Sequence, residues 1–246
     1  MNRYKNYFIL ISFISFVASS RAQEATKKWY LTNNQAELAL SGGDKEFSIS
    51  LNVHHLHGMG KKKNFKLGYG LRASTYFGED KNYVTAPAKL TSGETGPQAM
   101  FTENIEANFD TVYIKYPQVN MLNLFVIIEY TVFKKIDLGF NIDVIGFSFG
   151  GKQDGGYFSS KNPIALYTAN QVASPTPLNL LLISDNDIGS LNSEFYIRYR
   201  FNDHWGIKGG FTFMFTEYTT ENKLRLDNDR FRYKSGMGML GLSYKF

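Results

Sequence analysis

Cysteine is absent from the 246 residues, which excludes a disulfide framework and thiolate metal sites while permitting an oxidising compartment. Long apolar runs are scarce too. Beyond residue 22 the longest patches, Leu124 to Ile128 and Leu178 to Ile183, fall far short of the roughly 20 residues a membrane helix needs. Helical spacing is rare, and there is no internal repeat or low-complexity tract. The pairs Gly150-Gly151 and Gly155-Gly156 lack the context of a phosphate-binding loop and read as loop hinges. What the chain has in quantity is aromatic: 21 Phe and 16 Tyr, residues that favour half-buried strands and water-to-lipid boundaries.

The first 22 residues read as a secretory signal. Arg3 and Lys5 charge its start, Phe8 to Ala18 form an apolar core, and Ser20-Arg21-Ala22 set small residues at the cleavage positions. Cleavage leaves residues 23–246 as the mature domain; a retained helical anchor is the alternative, disfavoured by the short core. The segment carries three of the 27 basic residues and none of the 22 acidic ones, so the formal charge of +5 is largely a targeting feature. No nucleic-acid role follows from it.

Alternation with a period of two predicts an all-β protein of eight antiparallel strands. They fall at about 33–41, around Phe47 to Val53, around Phe65 to Leu71, then at about 120–133, 136–149, 188–201 and 205–218, and at the C-terminus with Leu240, Leu242, Tyr244 and Phe246. Connections at 58–63, 134–135 and 202–204 are short. Those at about 78–119 and 150–187 are long, with a tight turn at Gly42-Gly43-Asp44 and a middling connection at 219–230. Short and long alternate along the chain, as in an up-and-down membrane barrel with short periplasmic turns and long external loops. Loops of this length count against a compact soluble domain.

An eight-stranded soluble barrel of the lipocalin type also alternates, but with its apolar residues inward. The polar face discriminates. It holds Glu37, Lys66, Arg72, Glu129, Asp137, Asp143, Glu194, Arg198, Arg200, Lys208 and Lys245, a mixture of both signs that can pair inside a narrow barrel. A lining of one sign would point to a pore for the opposite ion. Aromatics at the strand ends favour the membrane reading: Phe133, Phe201, Trp205, Tyr244 and Phe246 by the short turns, and Phe77, Phe149 and Tyr218 by the long loops.

The signal segment, the eight alternating strands and the ending Leu242-Ser243-Tyr244-Lys245-Phe246 together resemble the small outer-membrane β-barrel proteins of Gram-negative bacteria, of the OmpA-barrel, OmpX and OmpW kind. The resemblance spans the mature chain and implies export through the periplasm to the outer membrane. It also implies that Leu242, Tyr244 and Phe246 form an assembly signal read by the barrel-assembly machinery. The last strand must then pair with the first, so that no backbone group is left unpaired in lipid.

Other candidate chemistry is sparse. His54, His55 and His57 are the one histidine cluster; His55 and His57 share a strand face and could hold a metal, or simply mark the polar end of the second strand. Lys61, Lys62 and Lys63 follow at a turn facing an anionic inner leaflet. Barrel enzymes resembling lipid deacylases or omptin-type proteases use a His near the outer rim, whereas all four histidines here, His204 included, map to the short-turn end. No enzyme activity, cofactor or metal is expected. Asp185-Asn186-Asp187 and Asp227-Asn228-Asp229 lack full calcium-loop spacing and read as turns.

The long connections hold Tyr83, Met100, Phe101, Phe109, Tyr113 and Tyr116, then Tyr157, Phe158 and Tyr167, apolar enough to pack together, cap the barrel or meet a partner. The expectation is one eight-stranded transmembrane barrel with a charge-paired, mostly blocked lumen. Its role would be structural, adhesive or accessory to an envelope protein partner. The alternatives are a narrow solute channel, disfavoured because eight strands enclose little more than their own side chains, and a lipid-modifying enzyme.

Overall fold

The computed structural model describes residues 33–95, 101–160, 170–182 and 186–246; the expected signal segment lies outside them. Thirteen strands form one antiparallel sheet: β1 (Asn33–Gly43), β2 (Glu46–Met59), β3 (Phe65–Gly78), β4 (Lys81–Thr85), β5 (Thr111–Ile114), β6 (Gln118–Phe133), β7 (Ile136–Phe149), β8 (Gln153–Phe158), β9 (Asn170–Pro175), β10 (Leu178–Leu180), β11 (Leu191–Arg200), β12 (Trp205–Thr220) and β13 (Arg230–Lys245). Among the described residues no helix is long and apolar enough to cross a membrane, a statement that leaves crossing by strands untouched.

Eight of these strands are long and pair in a cycle. β1 pairs with β2, β2 with β3, β3 with β6, β6 with β7, β7 with β11, β11 with β12, β12 with β13, and β13 returns to β1. The sheet is therefore barrel-like, with connections that run up and down.

The expected count of eight strands is corrected to thirteen. The five additional strands, β4, β5, β8, β9 and β10, lie where sequence alternation predicts only loops. They are short, and their pairing is supplied by distant segments: β13 to β4, β4 to β5, β5 to β8, β8 to β9, and β9 back to β12. A second, smaller cycle is thereby built over the long-connection end, sharing the β12–β13 hairpin with the first. β10 instead extends along β7, taking the place β11 has vacated. For the same reason β11 starts at Leu191 rather than Ile188, which bridges to Leu180.

Alternation sets the facing of the wall. Leu38, Leu51, Leu67, Leu124, Ile128, Ile197, Phe211 and Leu242 point outward and are exposed, while their sequence neighbours, apart from the partly buried Gly68, Gly210 and Gly241, are buried inside. One parity change is visible in β7: Leu124 pairs with Ile145 but Phe125 with Asp143, so Val144 is a bulge residue. Beyond it Ile145, Phe147 and Phe149 face outward, at odd rather than even positions. Tyr218, expected in an outward girdle, is fully buried; it donates to the Gln118 carbonyl at 3.0 Å and accepts from the Gln118 N–H at 3.0 Å. Its even position places it on the inward face of β12 with Lys208, Thr212 and Met214, since the register of this strand runs without a break.

The interior is filled by side chains. Tyr76, Tyr83, Val112, Val119, Tyr157, Met214, Tyr218 and Phe231 pack together toward the long-connection end. Nearer the middle, Tyr196 lies beside Phe125, Ile127 and Met239. Its ring fits because position 139 is glycine: a Cβ there would stand 2.2 Å from Tyr196 Cζ. Gly139→Ala is expected to destabilise the fold by about 1–3 kcal/mol, the range for overpacking a filled core, read as a lower urea midpoint. An unchanged midpoint would show that the ring has room to move.

Candidate functional site: a charge-paired interior and its cap

Charged side chains on the inward face cannot remain isolated, since an unpaired buried ion is costly. The structure brings ten of the polar-face residues into one unbranched series of ion pairs. Asp143 accepts from Arg72 at 2.8 Å, Arg72 reaches Glu194 at 3.5 Å, Glu194 meets Lys208 at 2.9 Å, and Lys208 meets Glu37 at 2.7 Å. From Glu37 the series passes to Arg198 and Glu129, then to Lys66 at 2.7 Å, Asp137 at 3.3 Å and Arg200 at 3.0 Å.

Five carboxylates alternate with five cations, so the series is neutral. All but Arg200, which lies toward the short-turn rim, are buried. Lys245, on the same face by parity, stays half-exposed outside the series.

Several neighbours join it. Tyr196, on the inward parity between Glu194 and Arg198, donates to Glu129 at 3.1 Å and stacks beside the Arg198 and Lys208 cations at 5.1 and 4.9 Å. Asn141 and Asn123 donate to Glu194 and Asp143 at 2.9 and 2.7 Å. Strand parity is the one signal that places Asn141 and Tyr196 on this face; their roles depend on which strands face one another across the ring.

The histidines do not converge. His54 points inward, buried edge-on against Phe125, and among the described residues neither ring nitrogen has a hydrogen-bond partner. His55 faces the other way and bonds Asn34 at 2.8 Å, with the His57 ring 6.2 Å away. Among the described residues no group of three His, Asp or Glu is placed to hold a metal. In the acidic turns, Asp227 pairs with Lys223 at 2.8 Å and Asp187 accepts the Leu182 N–H at 2.7 Å. Asp185 lies outside the described residues.

The terminal residues sit on the closing seam. Leu242 pairs with Leu38 and Tyr244 with Ala36, and the Phe246 N–H donates to the Asn34 carbonyl at 3.0 Å. Leu242 and Phe246 are exposed on the outside of the ring.

Over the other end sits a cap organised by residues that sequence pattern does not single out. Asp110 accepts from Arg225 at 2.8 and 2.9 Å, from the Tyr157 hydroxyl at 2.8 Å and from the Ser160 N–H at 2.9 Å. Three connections are thus tied at one carboxylate. Burial alone would raise its pKa, but the hydrogen bonds from Arg225, Ser160 and Tyr157 outweigh that and hold it below the usual carboxylate range. A second tie joins buried Glu217 to Arg230 and Arg232 at 2.7 and 2.8 Å. Of the loop aromatics, Tyr83 and Tyr157 are inside the cap, whereas Phe101 and Tyr116 are exposed; Met100 and Tyr167 lie outside the described residues.

No protein-family model matches the chain, and no curated protein matches it. Among solved structures, Neisserial surface protein A (NspA) is 8% identical over 87% of this chain and 96% of its own, with a TM-score of 0.38. The Yersinia pestis outer membrane protein Ail is 9% identical over 87% and 99%, at 0.37. A major outer membrane protein from Thermus thermophilus is 12% identical over 88% and 100%, at 0.40. Scores this low add nothing to what strand pairing already establishes.

Proposed function

We propose that this chain is an integral outer-membrane protein: its eight long strands cross the bilayer as a closed, non-conducting barrel, and its cap is an external face for adhesion or for holding an envelope protein partner. The observation that carries the reading is the inversion of polarity, with large apolar side chains on the outside of the ring and ten neutralised charges within. Soluble monomers rarely expose so continuous an apolar surface. Six of the eight wall strands have 14 to 16 residues and, tilted as barrel strands are, give a height of about 35 Å, while β1 and β11, with 11 and 10 residues, still span about 25 Å, the height of the apolar band of an outer-membrane barrel.

The filled interior supports a structural or binding role over transport. The seam at Phe246 supports a part for Leu242, Tyr244 and Phe246 in assembly by the barrel-assembly machinery, since ring closure leaves no unpaired edge in lipid.

Residues 23–246, refolded into detergent or vesicles, are expected to run faster on gels when unboiled than when boiled. Planar bilayers containing the folded form should show no discrete conductance steps. A monomer that stays soluble and folded without detergent overturns the membrane reading; reproducible single-channel steps overturn the closed barrel.

A further inference from the structure

Charge is unevenly placed along the axis of the ring. The interior series is neutral, and in the cap acidic side chains outnumber basic ones. The short-turn end is the reverse. Lys61, Lys62 and Lys63 occupy the β2–β3 turn, Lys134 and Lys135 the β6–β7 turn, and Lys245 the end of β13. Among the described residues Asp203, in the β11–β12 turn, is the one acidic side chain in the turns of this end.

Strand order gives this end four corners, at β2–β3, β6–β7, β11–β12 and the β13–β1 seam; lysines stand at three of them. Lys61, Lys62, Lys134 and Lys135 are exposed, and none pairs with an acid among the described residues. Internal structure therefore does not account for them.

Their sequence neighbours define the depth at which they sit. Met59 and Phe65 flank the first turn, Phe133 precedes Lys134, and Phe246 follows Lys245, all exposed on the outside of the ring. Large apolar and aromatic side chains at a strand end mark the boundary between hydrocarbon and headgroups. Lysine stems one or two residues beyond reach the phosphate level, their methylenes lying along apolar surface.

We propose that this rim binds the anionic headgroups of phospholipids in the leaflet at the short-turn end, phosphatidylglycerol being the simplest of the class. The inference rests on the membrane-barrel reading and adds to it a lipid preference confined to one end. A phosphodiester without a compensating amine presents net negative charge to the lysines, whereas a zwitterionic headgroup offers its own ammonium. Juxtamembrane lysines act at short range, within a Debye length, and each contributes about a fivefold preference.

The test places a reporter beside the rim: Phe133→Trp in a Trp29→Phe, Trp205→Phe background, refolded into phosphatidylcholine vesicles with equal fractions of brominated phosphatidylglycerol or brominated phosphatidylcholine. The expected result is stronger quenching by the brominated anionic lipid in low salt. That excess should shrink at least about tenfold in K61Q/K62Q/K134Q/K135Q and be screened in about 0.5 M salt. Equal quenching by the two lipids in the four-lysine protein overturns the proposal and leaves an acidic protein as occupant of the rim; so does an excess that survives removal of the lysines. The gel shift of the unboiled protein, recorded on the same vesicles, separates this outcome from a failure of the barrel reading.

Discussion

Arg198→Met is expected to lower the stability of the folded ring by about 3–5 kcal/mol, the effect of leaving buried charge uncompensated. Arg198 is the junction between the two halves of the interior series, touching Glu37 on one side and Glu129 on the other. Methionine fills much of the volume but supplies no charge. Glu37 keeps Lys208 and Glu129 keeps Lys66, so the neutral interior acquires one net negative charge.

Adding Glu129→Gln restores neutrality and should recover part of the loss, which separates electrostatics from packing. Urea titration in vesicles, scored by the fraction retaining the fast gel mobility, gives both values. A loss below about 1 kcal/mol in the single variant, or no recovery in the double, would mean that the ion pairs do not act as one unit. The series is not thereby a net source of stability, since an apolar replacement of the whole set could do as well. Its consequence is a blocked, neutral lumen with one arrangement of side chains.

The second large effect is expected at Asp110→Asn. The carboxylate accepts from Arg225, Tyr157 and the Ser160 N–H, joining residues from three connections. An amide keeps the shape, loses the charge-assisted bonds and turns one acceptor into a donor facing Arg225. About 2–4 kcal/mol of cap stability should be lost, with little change in the wall, whose pairing does not involve residue 110. Limited proteolysis should cut the variant's cap while the fast-running barrel band persists.

The same carboxylate confers a pH dependence of known sign. Its folded pKa lies below the unfolded value of about 3.9, so its contribution is fully present above about pH 4 and is lost as pH falls through the folded value. Wild-type cap should therefore become protease-sensitive in acid below pH 4, and the Asn variant should lack that step. A cap equally resistant in both proteins would remove Asp110 from its role.

Legibility in the sequence followed the number of surfaces each strand meets. β7 was readable end to end, Ile136 to Phe149, because one face is apolar and the other carries Asp137, Asn141 and Asp143. Even there, the adjacent Val144 and Ile145 conceal a bulge that only pairing to β6 reveals. Above the wall the rule fails. Glu217 and Tyr218 are consecutive and both buried, because Tyr218 faces the ring interior while Glu217, on the opposite face, is covered by Arg230, Arg232, Gly189 and Ser190. Strands such as β4 and β5 are too short for periodicity to register, and their partners lie far along the chain.

By itself, then, the order of residues determined the all-β class, the eight long strands, their facing up to the β7 bulge and, Lys245 apart, the charges that share the interior. Those properties follow from a two-residue period and from the energetic penalty on unpaired buried charge, both of which act locally. The residue-by-residue register of β13 on β1, the order in which ten charges pair, and the cap cycle of β4, β5, β8 and β9 were decided by tertiary structure alone. Each requires groups distant in sequence to meet, and a linear pattern holds no record of which will be neighbours across a ring.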